Sequence, residues 1–506
     1  MNNKEKTAIS PTRKENYALW YQEVIRASEL AENSSARGCM VIKPWGWGIW
    51  EKVQRHLDNM IKDTGHENAY FPLFIPLRFM EREAEHVEGF AKECAVVTHH
   101  RLESRDGKLV PAGELEEPFI VRPTSETIIG ESFAKWINSY RDLPLLINQW
   151  ANVARWEMRP RLFLRTAEFL WQEGHTAHEN QKEAEEEVAK MLEVYRTLAE
   201  EMISLPVIAG EKSAGERFPG AVNTLTIEAM MQDRKALQSG TSHYLGKNFA
   251  RAAGIKFLDR TGKEKFAHTT SWGLSTRIIG ALIMAHGDDD GLRVPPLVSP
   301  KHLVVLPVVT GDDTKEKVLS YAAKVAGKLA DCNFRGEKIA VKVDTRDKRG
   351  GEKNWDWIKK GIPIRVEVGP RDVADEKVVV TRRDKGHREK EVISLKELCT
   401  RASDILEEIQ QNYFSQAKTL LEENTNCDIS TFAELKEFFT PKNADNPEIH
   451  GGFAVVKWAG TADDEKKLAK VKASIRCIPE NQSGSSGKCI MSGKETTQEV
   501  VIAKAY

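Results

Sequence analysis

Cysteine is scarce in this chain: 7 among 506 residues, scattered along its length. Such spacing excludes a disulfide scaffold and predicts buried or free thiols in a reducing compartment. An excess of charge of either sign is also missing. The 74 basic and 75 acidic residues leave a net charge of −1. That excludes a protein that coats nucleic acid uniformly, while permitting a local basic patch. Long apolar runs are absent. Ile278–Ala285 is among the longest, far short of the ~20 residues needed to span a bilayer. The opening MNNKEKTAISPTRKEN has no apolar core of an export signal, so a soluble, cytoplasmic protein without membrane contact is expected. There is no P-loop, and no GxGxxG followed by a fitting acidic residue. Neither a Walker nor a Rossmann nucleotide site is therefore indicated. His175 and His178 have no HExxH context and no third ligand at a suitable spacing, which disfavours a zinc hydrolase.

What is present is a chain with 41% hydrophobic and 29% charged residues, enough for a sizeable core. Its length implies about three or four domains. A polar arm leads into an amphipathic helix bearing Tyr17, Trp20, Tyr21, Val24 and Ile25. Ile49, Trp50, Val53, Leu57, Met60 and Ile61 repeat at helical spacing, with Gly65 as a stop. Strands are predicted at Asn68–Phe74 (ended by Pro76), Phe119–Arg122 and Leu145–Trp156, and a helix over Glu179–Ser204. At His286–Pro296 the texture changes to HGDDDGLRVPP, a loop and domain boundary. Beyond it a small α/β domain is expected: strand Leu303–Val309, helix Thr314–Asp331, strand Lys338–Val343, a helix near Asn354–Lys360, then strands Pro363–Val368 and Lys377–Arg382. A third region opens near Ser403 with a helix on Ile405, Ile409, Tyr413, Ala417 and Leu420. It runs to Tyr506 through strands Gly452–Trp458 and Glu499–Ala503 and a Gly/Ser loop, Asn481–Gly487. The expected domains are 1–290, 300–400 and 403–506.

Five polar clusters sit inside apolar strands of the first region. They are Arg122-Pro-Thr-Ser-Glu126, Asn152-Val-Ala-Arg-Trp-Glu157, Arg165-Thr-Ala-Glu-Phe-Leu-Trp-Gln-Glu-Gly-His175, Gln238-Ser-Gly-Thr-Ser-His243 and Trp272-Gly-Leu-Ser-Thr-Arg277. In a strand, Arg155 and Glu157 share one face, and an Arg fork suits a phosphate. Taken singly, RWE reads as a surface ion pair and Arg277 as an ordinary helix-flanking residue. Trp45, Trp47 and Trp50 read as core or interface aromatics, and Asp288–Asp290 as a solvated acidic loop. Order and spacing of the clusters carry the argument instead.

These residues resemble the class II aminoacyl-tRNA synthetases, and specifically the prolyl-tRNA synthetases without an inserted editing domain. WEKVQRHLDNMIKDTGHENAYFPLFIP looks like the dimer-forming first motif. RPTSE, RWE and LRTAEFLWQEGHTA look like the proline loop and second motif; QSGTSHYLG and SWGLSTRIIGALIMAHGDDDGLRVPP look like the nucleotide loop and third motif. The resemblance implies an α+β catalytic domain on an antiparallel sheet with helices, an α/β anticodon-binding domain, and a small α+β C-terminal domain of the zinc-binding type. It implies ATP-dependent ligation of L-proline to tRNA(Pro) in two steps through prolyl-adenylate, by a homodimer using ATP and Mg2+. It assigns Thr124 and Glu126 to the prolyl ring nitrogen, and Trp171, Glu173, His175, His243 and Ser275 to the proline pocket. Arg155 would bridge the proline carboxylate and the α-phosphate. Glu157, Arg165 and Thr166 would bind ATP, with Phe169 on one face of adenine and Arg277 on the other and at the γ-phosphate. Gln238 and Thr241 would hold the nucleotide, Gln238 near Mg2+. Arg155 and Arg277 are the catalytic pair.

Between Arg346 and Arg365 there are 7 basic and 3 acidic residues, interleaved with Trp355 and Trp357. That composition suits splayed single-stranded RNA bases, and the resemblance makes Glu352, Lys353 and Arg365 candidate anticodon contacts. The tail departs from the family. Where relatives carry two zinc-binding cysteine pairs, the first region here is WAGTADDE (Trp458–Glu465), and the second keeps Cys477 and Cys489 with Ser492 in place of a cysteine. No zinc is expected. A non-catalytic, RNA-binding synthetase paralogue is disfavoured by the intact Thr124, Glu126, Arg155, Arg277 and anticodon segment. Another class II ligase, such as a threonyl enzyme, is disfavoured by RPTSE with FLWQEGH.

Overall fold

The computed structural model describes residues 7–82, 94–309, 311–443 and 448–506; Met1–Lys6 of the expected polar arm lie outside them. The first domain is built on strands Val207–Glu211, Asn223–Met230, Ala236–Gly246, His268–Ser275, Glu168–His178 and Leu145–Ala154, adjacent in that order and all antiparallel. Helices pack on this sheet because each carries one apolar stripe. Tyr17–Ala27 buries Trp20 and Val24, Pro44–Asp63 buries Trp50, Val53 and Leu57, and Gln181–Thr197 buries Met191 and Tyr195. They share one core with Trp272, Leu274 and the nearly all-buried helix Arg277–His286. Asn16 and Asn180 cap two of these helices, their side chains accepting from the Leu19 and Glu183 N–H groups.

Several expected elements are redrawn. Asn68–Phe74 is not one strand. Glu67–Asn68 joins the large sheet parallel to Ile147–Asn148, and Phe74–Pro76 pairs with Phe119–Val121 in a separate three-stranded sheet. Pro76 is the last residue of this strand, followed directly by the helix Leu77–Arg82. Phe119–Arg122 proves to be the end of the 14-residue strand Lys108–Val121, which forms a hairpin with Ala95–Arg105 around Asp106-Gly107. That hairpin is largely solvent-exposed, so its polar composition conceals it. The helix expected to reach Ser204 is α-helical over Gln181–Thr197 and then widens into a π turn, Leu198–Met202.

The second domain has a five-stranded sheet: Val341–Val343, Leu303–Pro307 and Ile364–Val368 parallel, then Lys377–Arg382 and Lys390–Ser394 antiparallel. One face packs on the helices Asp312–Ala330 and Leu395–Glu423 through Val318, Leu329, Leu406 and Tyr413. On the other face Trp357 and Ile362 cover Val304 and Leu306. The helix Leu395–Glu423, capped by Ser394, runs across the expected break at Ser403 and buries its first half in this core.

The C-terminal strands do not form a separate sheet. Thr425–Asn426, Phe453–Lys457, Glu499–Ala503 and Ser474–Pro479 extend the large sheet, the last pairing with Val207–Glu211 through Ile478↔Glu211 and Pro479↔Gly210. The result is one sheet of 11 strands. At that seam Lys212 and Arg476 flank the fully buried Glu228. The 7 cysteines are unbridged. Among the described residues, no helix is long and apolar enough to cross a membrane.

Candidate active site

A cavity of about 220 Å³ opens over the antiparallel sheet. Its floor comes from adjacent strands, because alternate residues of a strand face one way. Phe169, Trp171, Glu173 and His175 come from Glu168–His178, with Gly273 and Ser275 opposite Glu173 and Trp171 on the next strand. Thr241 and His243 stand opposite Gly273 and Ser271. Gly174, between two of these floor residues, has a packing reason: a Cβ there would lie 2.0 Å from the Trp272 indole.

One end of the cavity is acidic and tightly bonded. Thr124 Oγ1 donates to Glu126 Oε2. Glu173 accepts from Ser125 Oγ (2.5 Å) and Gln149 Nε2 (2.7 Å), and its other oxygen meets His175 Nε2 at 3.2 Å. Burial alone would raise the Glu173 pKa, but these bonds, His175's first, hold its carboxyl below the ordinary range. Burial likewise opposes the charge on His175, yet the bond to Glu173 and the field of Glu126 hold its pKa above the ordinary value. His243 is different: burial, helped by His175, pushes it down to about 3, so it is neutral at pH 7. Its Nδ1 meets Thr224 Oγ1 at 3.0 Å.

The other end is basic. Arg155 Nε donates to the Pro123 carbonyl at 2.9 Å, and its guanidinium lies 5.5 Å from the Phe169 ring centroid and 5.6 Å from that of Trp171. Arg277 starts the helix Arg277–His286 and donates Nε to the Leu164 carbonyl at 3.2 Å. Burial first, then the nearby Arg165 and Arg155, push Arg277 down to about 10. Cations held together in this way form a site for an anion. Gln238 lines the same cavity, and Glu228, opposite it in the strand register, is turned to Lys212 and Arg476.

The structure thus gathers Thr124, Glu126, Arg155, Phe169, Trp171, Glu173, His175, Gln238, Thr241, His243, Ser275 and Arg277 around one cavity. Glu157, Arg165 and Thr166 are not among its lining residues. Arg155 and Glu157 do not share a strand face, because the strand ends at Ala154, where the Arg155 N–H turns to the Ala167 carbonyl. Glu157 instead accepts from the Arg159 N–H and lies 3.6 Å from Arg165 Nε, while Thr166 donates to the Glu168 carbonyl. Sequence reasoning missed Glu216, Arg217 and Phe218, which line the cavity from the loop after Val207–Glu211. The only signal was GERFPG, a Gly/Pro-flanked stretch resembling an ordinary connection.

In the second domain the basic segment is largely paired. Arg346 binds Asp344 and Asp356, Lys348 binds Asp356, and Lys360 binds Glu29. Trp357 is core, donating to Asp344 Oδ2 at 2.9 Å, and so is no stacking platform; Trp355 is half-buried beside His387. Of the candidate contacts, Glu352 is exposed, and Lys353 is buried with Nζ 3.3 Å from the Asp344 carbonyl. Arg365 is 1% exposed; Nε donates to Asn354, whereas Nη1 and Nη2 have no hydrogen-bond partner. It lines a second cavity of about 350 Å³ with Arg293, Arg382 and Arg383, each of which is paired with Asp288 or Asp384 on the same wall. Among the described residues no group of three or more His, Cys, Asp or Glu side chains could hold a metal ion.

Comparison with known proteins agrees with this architecture. Residues 110–286 match the tRNA synthetase class II core domain (G, H, P, S and T), residues 302–404 the anticodon binding domain, and residues 447–506 the prolyl-tRNA synthetase C-terminal domain. The chain is 60% identical to proline–tRNA ligase of Protochlamydia amoebophila over 99% of both chains. It is 56% identical to that of Paramagnetospirillum magneticum over 100% of both. The crystal structure of prolyl-tRNA synthetase from Cryptosporidium parvum, complexed with halofuginone and AMPPNP, superposes with a TM-score of 0.89 at 36% identity, covering 99% of each chain. Full-length likeness of this kind, over a cavity acidic at one end and basic at the other, means that the chain belongs to the prolyl-tRNA synthetase family of class II ligases, which join proline to tRNA at the expense of ATP.

Proposed function

We propose that the acidic end of the cavity takes L-proline and the basic end takes ATP. The observation that carries this reading is the polarity of one cavity: Thr124, Glu126, Glu173 and His175 at one end, Arg155 and Arg277 at the other. A prolyl ring nitrogen is a secondary ammonium with two N–H donors, which Thr124 and Glu126 match. Trp171, Glu173, His175, His243 and Ser275 enclose the ring. Arg155, fixed through Pro123, bridges the proline carboxylate and the α-phosphate. Phe169 and Arg277 flank adenine, Arg277 also reaching the γ-phosphate, and Thr241 and Gln238 hold the nucleotide. Glu157, Arg165 and Thr166, outside the cavity lining, also serve ATP.

The carboxylate oxygen attacks the α-phosphorus and pyrophosphate leaves. The terminal tRNA hydroxyl then attacks the carbonyl of the mixed anhydride and AMP leaves. Both steps depend on alignment and charge stabilisation, so no side chain acts as a nucleophile. Gln238 is the residue that would hold Mg2+; its amide oxygen suits a hard cation whose other ligands are phosphate oxygens and water. When bound, that ion supplies charge neutralisation of the triphosphate. The experiment is ATP–pyrophosphate exchange with each amino acid in turn. Proline alone should give strong exchange; strongest exchange with threonine or glycine would overturn the pocket assignment.

The remaining division of labour follows: catalysis within 1–290, anticodon reading within 300–400 by Glu352, Lys353 and Arg365, and a C-terminal domain, 403–506, that folds without zinc. Arg365 supports the second part, since its unpartnered buried guanidinium edge offers two donors to a base or phosphate of tRNA(Pro). A homodimer is proposed through the first motif, whose Tyr70 and Phe74 stand exposed, and a cytoplasmic site, where charged tRNA is used.

A further inference from the structure

Residues 212–222 join the strands Val207–Glu211 and Asn223–Met230 and send Glu216, Arg217 and Phe218 into the cavity. Phe218 covers the acidic end: its ring stacks on His243 at 4.6 Å, and its N–H meets Thr224 Oγ1 at 3.2 Å. Within the first domain the loop is held by Arg217 Nη2 on Glu211 (3.3 Å) and Asn248 Nδ2 on the Gly220 carbonyl (2.9 Å); a second set of contacts comes from the far end of the chain. Ser213 Oγ donates to Glu465 Oε1, and a Cβ at Gly215 would come within 3.2 Å of the same carboxylate. Arg476 donates Nε and Nη2 to Glu228 (3.1 Å each to Oε2) and lies 3.9 Å from Glu216 through Nη1. Lys212, at the root of the loop, reaches Glu228 Oε1 at 2.7 Å. The backbone seam Ile478↔Glu211 fixes both sides of this arrangement. Glu465 lies in WAGTADDE, the segment where the tail departs from the zinc-binding pattern.

We propose that Glu465 and Arg476 of the C-terminal domain are positioning residues for the proline pocket, acting by bracing the 212–222 loop so that Phe218 stays over His243. This rests on the proline-pocket reading above. A loop released from its brace occupies the closed arrangement only part of the time, and apparent affinity falls by that fraction. The effect belongs to proline and not to ATP, because Phe218 covers the acidic end.

The test is steady-state exchange by the full-length chain with Ser213→Ala, Glu465→Ala and the double variant. If the loop is left closed about a tenth of the time, KM for proline rises about tenfold, while kcat, KM for ATP and the unfolding temperature stay close to the parent's. The double variant should match either single one, since both remove one contact. Arg476→Lys should retain more proline affinity than Arg476→Gln. Because Arg476 also neutralises a buried carboxylate, Arg476→Gln alone could unfold the seam; the Ser213 and Glu465 variants decide the matter without it. Proline KM within twofold of the parent in both would overturn the brace and leave the pocket reading intact. A parallel loss of kcat, both KM values and thermal stability would also overturn it, showing a general structural role. A parent that shows no proline-dependent exchange would sink the pocket reading, and the brace with it.

Discussion

Arg155 is positioned by its neighbours more than by its own strand. Its Nε is tied to the Pro123 carbonyl, and Phe169 and Trp171 border its guanidinium. Burial lowers its pKa, with Glu126 and Glu173 opposing that shift; its charge rests on the delocalised guanidinium, which proteins do not deprotonate at working pH. Such a fixed charge stabilises a pentacoordinate phosphorus without reorganising. Arg155→Ala should therefore lose ~10²–10³ in the rate of proline activation, about 3–4 kcal/mol, while the chain remains folded. Single-turnover adenylate formation measures this; a rate within about threefold of the parent would return Arg155 to an ordinary ion-pair role. Most cavity residues were named through the resemblance carried by RPTSE and FLWQEGH; alternation along Glu168–His178 explains why Phe169, Trp171, Glu173 and His175 share a floor, whereas Thr124 and Glu126 come from the turn into the helix Glu126–Trp136. The shared face expected for Arg155 and Glu157 does not form, because alternation holds only while the strand continues, and it stops at Ala154. Arg217 and Phe218 left no pattern to read, since a loop has no period.

At the scale of elements, the helix Gly350–Lys360 and the strand Ile364–Val368 show how charge and aromatic content mislead. The basic residues on and just before the helix mostly answer carboxylates, Arg346, Lys348 and Lys359 on Asp356 and Lys360 on the distant Glu29, and Trp357 fills the core against Trp45 and Val304. Arg365, hidden in a strand and facing a cavity, keeps two nitrogens without a hydrogen-bond partner. On the anticodon reading proposed above, its two unpartnered nitrogens would meet RNA through one side chain in place of a stacking platform. Arg365→Gln should lower the efficiency of charging tRNA(Pro), by roughly 5–150-fold if one base-edge or phosphate contact of about 1–3 kcal/mol is lost. Proline-dependent exchange without tRNA should be unchanged. Equal charging by parent and variant would make the cavity a solvated pocket only. Helices were readable here because their apolar stripes are long, as with Val318, Leu329 and Leu406. The hairpin Ala95–Arg105 with Lys108–Val121 was not, because neither face carries enough apolar residues to show alternation.

At the scale of the whole molecule, the first domain and the C-terminal strands share one continuous sheet, which is why the C-terminal region cannot be judged as a separate module. Between His175 and Gln238 the chain spends its length on the helix Gln181–Thr197 and two sheet strands, leaving no inserted editing domain. Missing methylenes give only about 1–3 kcal/mol of discrimination each, so measurable Ala-tRNA(Pro) should form under excess alanine; none at all would show that the pocket excludes alanine by other means. The same continuity bears on metal. A structural zinc site needs four deprotonated ligands in a tetrahedron. Here the turn holding Cys489 is closed by its own backbone, Gly493 N–H to the Cys489 carbonyl at 2.9 Å, and Ser492 Oγ lies 3.5 Å from the Ala459 carbonyl. The two loops meet, yet one thiol faces a hydroxyl and an alanine. Cys477 is elsewhere, packed among Met230, Phe453 and Val501 on the sheet seam, where burial pushes its thiol up to about 12. Such a thiol stays protonated and serves as a small apolar side chain. The tail is instead tied to the first domain by Ile478↔Glu211, by Arg476 on Glu228, and by Tyr506 Oη on Asp233 at 2.7 Å. The purified protein should therefore carry well under one zinc per chain, and its unfolding temperature should be the same with and without a strong chelator. Near-stoichiometric zinc, or a fall of several degrees on chelation, would mean that Cys427, Cys489 and His450 come together in a way this packing does not allow.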